Sequence, residues 1–278
     1  MSTTIITDGC CDLPPELCEA LNVDISPLTI SIENEEFLDD GHLDIRKLLH
    51  SLATHKEAPK TACPAPDEYL KRFKKSNESF CVTLSSRLSG SYNSAKFAQD
   101  ILAEEEPTKR THVFDSLSAS AGQVLLVLKI REFIDNKIDF DTIVEKINAF
   151  IKEMKTYFVL ENLETLMKSG RMSKITGLIA ATLSLRPIMG SDGDGRIKLY
   201  EKIRGTERAL IRLAEMIGEQ GMNLKERILV ISHCNDKERA EFFKEEVKKR
   251  HTFKDIIIVE TGGTSTVFAN QGGLVIAF

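Results

Sequence analysis

The chain has 278 residues, of which 42% are hydrophobic and 28% charged, values typical of soluble globular proteins. A net charge of −5 makes non-specific binding to nucleic acid or to an anionic membrane unfavourable. The amino terminus lacks the basic and apolar regions of a signal peptide, and no apolar run approaches the ~18 residues that span a bilayer. We therefore expect a cytoplasmic protein with no membrane span and no nucleic-acid partner.

The first half of the chain alternates short apolar runs with stretches of helical periodicity. The predicted strands are 3–7, 25–32, 80–86 and 111–116. The predicted helices are 12–22, 43–53, 66–75, 119–134 and 139–154. This alternation predicts βαβ units and a parallel sheet.

Beyond residue 155 the pattern favours antiparallel pairing as well. Strands are predicted at 156–160, 186–190, 196–204, 227–233 and 255–260, with a charged helix at 236–250 and an apolar end at 272–278. The SDGDG segment at 191–195 is typical of a hairpin turn. We therefore predict a two-domain α/β fold: an amino-terminal domain (1–155) with a parallel sheet, and a carboxyl-terminal domain (156–278) with a mixed or antiparallel sheet.

The six cysteines form no CxxC pair, which removes the main support for a zinc ribbon or a thioredoxin-like site. We expect reduced thiols that pack as small buried side chains, and no metal site. The adjacent pair Cys10 and Cys11 is the one unusual feature, and packing is favoured over redox or metal chemistry there.

Enzymatic motifs are weak. The segment GTSTV (263–267) lacks the second glycine of a nucleophile elbow, and no phosphate-binding GxxxxGK[ST] loop is present. Among the six histidines only His233, at the end of a predicted strand, lies where binding sites commonly form. We therefore expect no catalytic residues.

The stretch SSRLSGSYNSA (85–95) concentrates hydroxyl groups where a helix is expected to begin. If Ser89 or a neighbour is the N-cap, then Gly90 and Ser91 present backbone N–H groups that suit an anion. Simple helix capping explains the same residues. A second hydroxyl, Thr61 of KTACPAP (60–66), lies in a segment stiffened by prolines, and the two hydroxyls together could hold a carboxylate or a phosphate.

The segment 160–190 adds a basic rim and an apolar stretch. Lys168, Arg171 and Lys174 surround Gly170, and 177–189 is almost wholly apolar. One interpretation is a helix, a glycine stop and a second, core-facing helix. The other is an apolar wall beside a basic rim, which suits an amphiphile with an anionic head.

Several blocks in one register resemble the DegV family of bacterial lipid-binding proteins. These are TDGCCDLP (7–14), ISPLTI (25–30), TACPAP (61–66), SSRLSGSYNSA (85–95), FDSLSASAG (114–122), LETLMKSGRMS (163–173), LSLRPIM (183–189) and DGRIKLYEKIRG (194–205). The resemblance implies a non-catalytic carrier that binds one long-chain fatty acid between its two domains, needs no cofactor and presents the acid to a separate fatty-acid kinase.

The same resemblance assigns roles to individual residues. It places the carboxylate on Thr61 and Ser89 and makes Arg171 and Arg204 candidate contacts for the kinase or the acyl phosphate. Many members carry a histidine near the carboxyl terminus, where this chain has FANQGG (268–273), and Asn270 is the best substitute donor. Two alternatives stay open at this site: a small serine hydrolase or acyl-transfer enzyme, and a phosphate-binding module.

Overall fold

A computed structural model describes residues 3–55, 57–172, 185–220 and 222–278. The strands are β1 (Thr3–Asp8), β2 (Val23–Ser26), β3 (Leu28–Ile32), β4 (Glu35–Asp39), β5 (Lys60–Ala62), β6 (Glu78–Thr83), β7 (Arg110–Asp115), β8 (Thr156–Val159), β9 (Leu185–Ser191), β10 (Ile197–Arg204), β11 (Ile228–His233), β12 (Asp255–Glu260) and β13 (Leu274–Ala277).

The helices are α1 (Pro15–Ala20), α2 (Ile45–Thr54), α3 (Pro66–Phe73), α4 (Ser91–Glu105), α5 (Ala121–Asp135), α6 (Phe140–Glu153), α7 (Glu164–Lys168), α8 (Thr206–Gly218), α9 (Lys237–Lys248) and α10 (Gly263–Ala269), with one 3-10 turn at Leu224–Glu226. None of the described helices is both long and apolar enough to cross a membrane.

Three sheets organise the described residues. Sheet 1 has the order β2-β1-β6-β7 and is parallel throughout, as the alternating pattern predicted. Sheet 2 has the order β10-β9-β8-β13-β11-β12 and mixes antiparallel pairs with one parallel pair, β11 with β12. The predicted α/β fold with a parallel and a mixed sheet is thus confirmed.

Sheet 3, of order β4-β3-β5, is antiparallel and was not predicted. The expectation that antiparallel pairing begins only after residue 155 is therefore wrong. The predicted strand 25–32 is in fact two strands, because Pro27 separates β2 in sheet 1 from β3 in sheet 3. Sheets 1 and 3 precede residue 155 and sheet 2 follows it, so a boundary near 155 agrees with the strands and remains a proposal.

Helix α5 lies between sheets 1 and 2, which explains why its sequence is apolar on most sides. Its residues Val124 and Val127 share one hydrophobic cluster with Ile5 of sheet 1 and with Val230 and Val275 of sheet 2. Helices α3 and α4 cover the other face of sheet 1, and α8 and α9 that of sheet 2. The two halves of the chain therefore share a continuous core.

Two buried carboxylates tie the amino-terminal half to the carboxyl-terminal half. Asp12 accepts hydrogen bonds from the Ser120 and Ser232 hydroxyls and from the Gly262 N–H, the last at 2.9 Å. Asp39 accepts from the N–H groups of Gly263 (2.9 Å) and Thr264 (2.5 Å) at the start of α10. Burial raises the pKa of both, that of Asp39 to about 6. These acids fix how α10 sits against sheet 3.

Several further expectations need correction. The predicted helix 12–22 is shorter (α1), since it begins only after Pro14. Cys63 is exposed, whereas the other five cysteines are buried as expected. The predicted helix at 177–189 falls largely on 173–184, outside the described residues, and its last residues belong to β9.

Candidate functional site

An apolar cavity of about 110 Å³ lies at the carboxyl ends of the sheet 1 strands, where they face sheet 2. One wall consists of loops that follow sheet 1 strands, with Cys10, Leu84 and the segment 117–120. The opposite wall is formed by sheet 2 and α10, including Phe158, Ile197, Phe268 and Val275. A single water needs only about 10–15 Å³, so the cavity is much larger than a hydration site. Crevices at the carboxyl ends of parallel strands are common ligand sites.

Several hydroxyls in the cavity wall are engaged with the protein itself, whereas the buried Thr264 hydroxyl has no hydrogen-bond partner among the described residues. Ser118 and Thr156 hydrogen-bond to each other at 2.7 Å, and the Ser191 hydroxyl donates to the Leu117 carbonyl at 3.0 Å. The Ser120 hydroxyl donates to Asp12. Because these groups already have partners, the wall offers mainly carbon to a ligand. The cavity thus suits an alkyl chain better than a polar molecule.

Arg171 is a charged residue in the wall of the cavity. Its Nε donates to the Leu88 carbonyl at 3.0 Å, its Nη2 donates to the Thr61 hydroxyl at 3.4 Å, and its guanidinium carbon lies 4.9 Å from the centre of the Phe268 ring. Burial lowers the pKa of this half-buried guanidinium. Within the described ranges no carboxylate pairs with Arg171. A partly desolvated cation without a counter-ion favours binding of an anion.

Thr61 and Ser89 approach this cation from two separate elements. Thr61 lies in the short strand β5, not in a loop as predicted, and pairs with Ile30 on the inner face of sheet 3. Ser89 directly follows Leu88, whose carbonyl Arg171 holds. Neither hydroxyl lines the apolar cavity; Thr61 contacts Arg171 directly, and Ser89 is next in the chain to Leu88, whose carbonyl accepts from Arg171.

The start of α4 is built around Gly90, which is the N-cap residue and is exposed. The Ser89 hydroxyl accepts from the Ser91 N–H at 3.2 Å and lies 3.0 Å from the Ser91 hydroxyl. A Cβ on Gly90 would lie 3.0 Å from the Cys63 sulfur, so the segment after Thr61 packs directly against this helix end. Capping and anion binding are both compatible with this geometry.

The other two predicted residues, Asn270 and Arg204, have no hydrogen bond to this cluster in the described part of the chain. Asn270 is the C-cap of α10 and does not line the cavity; its side-chain nitrogen is buried and has no hydrogen-bond partner among the described residues. Arg204 is exposed at the end of β10, opposite Leu185. Within the described ranges, neither residue forms a hydrogen bond or an ion pair with Thr61, Ser89 or Arg171.

Sequence reasoning did not identify Phe268, on which Arg171 stacks, or the loop 117–120 as parts of a site. The loop had a usable signal, since it follows a predicted strand of a parallel sheet. Sequence reasoning also did not identify Asp12 and Asp39, because most of their partners, such as Ser232 and Gly263, lie more than 200 residues away along the chain.

The fold and the cavity together define an α/β protein with an apolar cavity between its two larger sheets. Comparison of sequences assigns it more narrowly, because a model of the DegV family matches residues 2–278. The chain belongs to the DegV family, as the sequence blocks predicted. DegV domain-containing proteins of Streptococcus pneumoniae and Streptococcus gordonii are 33% and 34% identical, each covering 100% of this chain and 99% of the relative.

Solved structures of the family are similar over the whole length. A DegV family protein from Ruminococcus gnavus, refined with vaccenic acid, has 39% identity and a TM-score of 0.95, covering 100% of both chains. The Streptococcus pneumoniae Fatty Acid Kinase (Fak) B3 protein, loaded with linoleic acid, has 32% identity and a TM-score of 0.90, covering 100% of this chain and 99% of that one. A DegV family protein from Eubacterium eligens, loaded with heptadecanoic acid, has 29% identity and a TM-score of 0.92, covering 99% of both chains.

Proposed function

We propose that this protein binds one long-chain fatty acid, with the acyl chain in the apolar cavity and the carboxylate at Arg171, Thr61 and Ser89. The observation that carries the proposal is Arg171: a half-buried cation in the wall of an apolar cavity, with no ion-pair partner among the described residues. The acids bound by the similar proteins have the same two parts, an alkyl chain and an anionic head.

Typical interaction energies support separate roles for the apolar cavity and for the polar residues. Burying about a dozen methylenes at ~0.8 kcal/mol each supplies on the order of 10 kcal/mol before ordering costs. Hydrogen bonds to a charged head contribute about 1.5–3 kcal/mol each. The chain therefore supplies most of the affinity, and the polar residues fix which end lies beside Arg171.

In the proposed function the protein is a cytoplasmic carrier that presents the carboxylate to a fatty-acid kinase, without catalysing a reaction itself. The relation to the Fak B3 protein supports the kinase step. Ser89 has only Ser91 as a hydrogen-bonding side-chain partner in the described chain, so no base is placed to activate it as a nucleophile. Gly90, Ser91 and Asn270 stay predicted ligand-binding residues. Arg204 stays a predicted contact for the kinase or the acyl phosphate.

Three ligands separate the candidate functions. We expect palmitate to displace a bound fluorescent fatty acid, inorganic phosphate to leave it bound, and activated acyl esters to remain unhydrolysed. Displacement by phosphate alone would favour the phosphate-binding module. Hydrolysis that is lost in Ser89→Ala would favour the hydrolase.

A further inference from the structure

The side chain of Ser91 connects the proposed carboxylate site to the protein core. Ser91 is the first residue of α4 and has no exposed surface (0%). Its hydroxyl oxygen lies 3.0 Å from that of Ser89, and its N–H donates to the same Ser89 oxygen at 3.2 Å. Ser89 is partly exposed and is therefore the outer member of this pair. Ser91 can influence a bound head group only through Ser89.

The buried carboxylate of Asp8, the last residue of β1, is a second hydrogen-bond partner of Ser91. One Asp8 oxygen accepts from the Leu84 N–H at 2.7 Å. The other accepts from the Cys10 N–H at 3.2 Å and from the Gln123 amide at 3.0 Å. Burial raises the pKa of Asp8, and these donors together with the Ser91 hydroxyl lower it. Donors on both oxygens favour the ionised form, which only accepts hydrogen bonds, so Ser91 donates its hydroxyl hydrogen to Asp8.

The direction of the contact between the two serines follows from this count of hydrogens. A hydroxyl has one hydrogen to donate and two lone pairs that accept. With the Ser91 hydrogen on Asp8, the 3.0 Å contact is a hydrogen bond from Ser89 to Ser91. A bound head group can therefore take the Ser89 hydrogen only by replacing Ser91 as its acceptor.

Helix formation alone does not account for the Ser91 hydroxyl. The Ser89 oxygen already accepts from the Ser91 N–H, which would otherwise lack a partner at the start of α4. Alanine also forms helices better than serine. The Ser91 hydroxyl instead joins a buried acid to a partly exposed hydroxyl at the proposed carboxylate site.

We propose that Ser91 is a positioning residue that competes with the ligand for the Ser89 hydrogen, and that this competition selects an ionised carboxylate over an uncharged head group. The inference rests on the proposed function, which places the head group at Ser89. A hydrogen bond to a charged acceptor is roughly twice as strong as one between neutral groups. A carboxylate therefore displaces the Ser91 oxygen, whereas the carbonyl of an ester gains almost nothing from the same exchange.

The test compares palmitate with methyl palmitate, which has the same acyl chain and an uncharged head. Competitive displacement of a bound fluorescent fatty acid gives the ratio of the two affinities, palmitate over ester. We expect Ser91→Ala to free the Ser89 hydrogen for the ester, so that this ratio falls about 3- to 10-fold, the strength of one neutral hydrogen bond. The matched control is Ser94→Ala on the same helix, whose hydroxyl donates to the Pro64 carbonyl, and its ratio should equal that of wild type.

Two further comparisons separate competition from a loss of structure. Ser91→Cys keeps the approximate size of the side chain, but sulfur is a weak acceptor, so the ratio should fall in this variant as well. Ser89→Ala and Ser89→Ala/Ser91→Ala should have the same ratio, because Ser91 has no hydrogen to compete for once the Ser89 hydroxyl is removed.

The remaining outcomes overturn the inference. An unchanged ratio in both Ser91→Ala and Ser91→Cys would show that Ser91 only supports the fold, while palmitate binding by the wild type would stand. A ratio that rises in these variants would show that Ser91 strengthens the bond to the carboxylate, which is the opposite of competition. A wild-type chain that binds neither ligand would contradict the proposed function and remove the inference with it.

Discussion

The Nη2 atom of Arg171 lies 3.4 Å from the Oγ1 atom of Thr61, so a cation from the region after α7 meets a hydroxyl from sheet 3. The same guanidinium holds the Leu88 carbonyl beside Ser89. Three separate segments therefore converge on one small polar area beside an apolar cavity. A ligand with one anionic end and a long apolar body matches that arrangement.

Replacing the cation should weaken binding only of charged ligands. Arg171→Met keeps an unbranched apolar stem against Phe268 but removes the positive charge. We expect palmitate affinity to fall about 10- to 100-fold, since a hydrogen bond to a charged group contributes about 1.5–3 kcal/mol. The affinity for methyl palmitate should change little. Equal losses for the acid and the ester, measured by competitive displacement, would mean that Arg171 only supports the fold.

Filling the cavity should shift the preferred chain length. Ala119 lines the cavity and is partly exposed, so Ala119→Leu adds three carbons to the wall without entering a fully packed core. Each methylene that no longer fits costs about 0.8 kcal/mol of transfer free energy. We expect the variant to bind stearate several-fold less well relative to laurate. An unchanged ratio of the two affinities would place the acyl chain outside this cavity.

Removing the buried carboxylate of Asp12 should cost more stability than removing an exposed carboxylate that caps a helix. Asp12→Ala leaves the Gly262 N–H and two buried hydroxyls without their acceptor. We expect the free energy of unfolding to fall by on the order of 3 kcal/mol or more. The control is Asp139→Ala, which removes an exposed N-cap and should cost clearly less. Similar losses in urea denaturation for both variants would contradict the account of Asp12 as a link between the halves.

Asp39 should make stability depend on pH in the acidic range. Its pKa in the folded protein is raised to about 6 by burial, against about 3.9 when unfolded, so the folded state binds the proton more tightly. The corresponding stabilisation is complete below about pH 4 and is lost as the pH rises through about 6.

Unfolding measured between pH 4 and 6.5 tests this sign. The difference in free energy of unfolding between wild type and Asp39→Asn should change by on the order of 2–3 kcal/mol over that interval. If the free energy of unfolding depends on pH in the same way for wild type and Asp39→Asn, then Asp39 titrates in the folded protein as it does in the unfolded chain.

Much of the fold was predictable because most elements are long and periodic. The alternation in 3–154 and the hairpin around SDGDG correspond to sheet 1 and to β9 and β10. Sheet 3 was missed because Pro27 interrupts an apolar run and β5 has only three residues, too few for a period to appear. Helix α10 was missed because GTSTVFA has poor helix propensity; Asp39, distant in sequence, stabilises its first N–H groups.

The candidate site was predictable only in part. Thr61 and Ser89 were identified as hydroxyls in structured surroundings, and Arg171 as part of a basic rim. That Arg171 contacts Thr61 and the carbonyl of Leu88, the residue before Ser89, depends on packing between segments more than 80 residues apart, which no local pattern encodes. The same limit applies to Asn270, whose side chain lies outside the cavity wall.

The most direct test of the central claim is organic extraction of the freshly purified, denatured protein, followed by mass spectrometry of the extract. We predict close to one long-chain fatty acid per chain in the wild type and clear depletion in Thr61→Val/Ser89→Ala. An empty wild-type extract, with no uptake when palmitate is added back, would contradict fatty-acid binding by this protein.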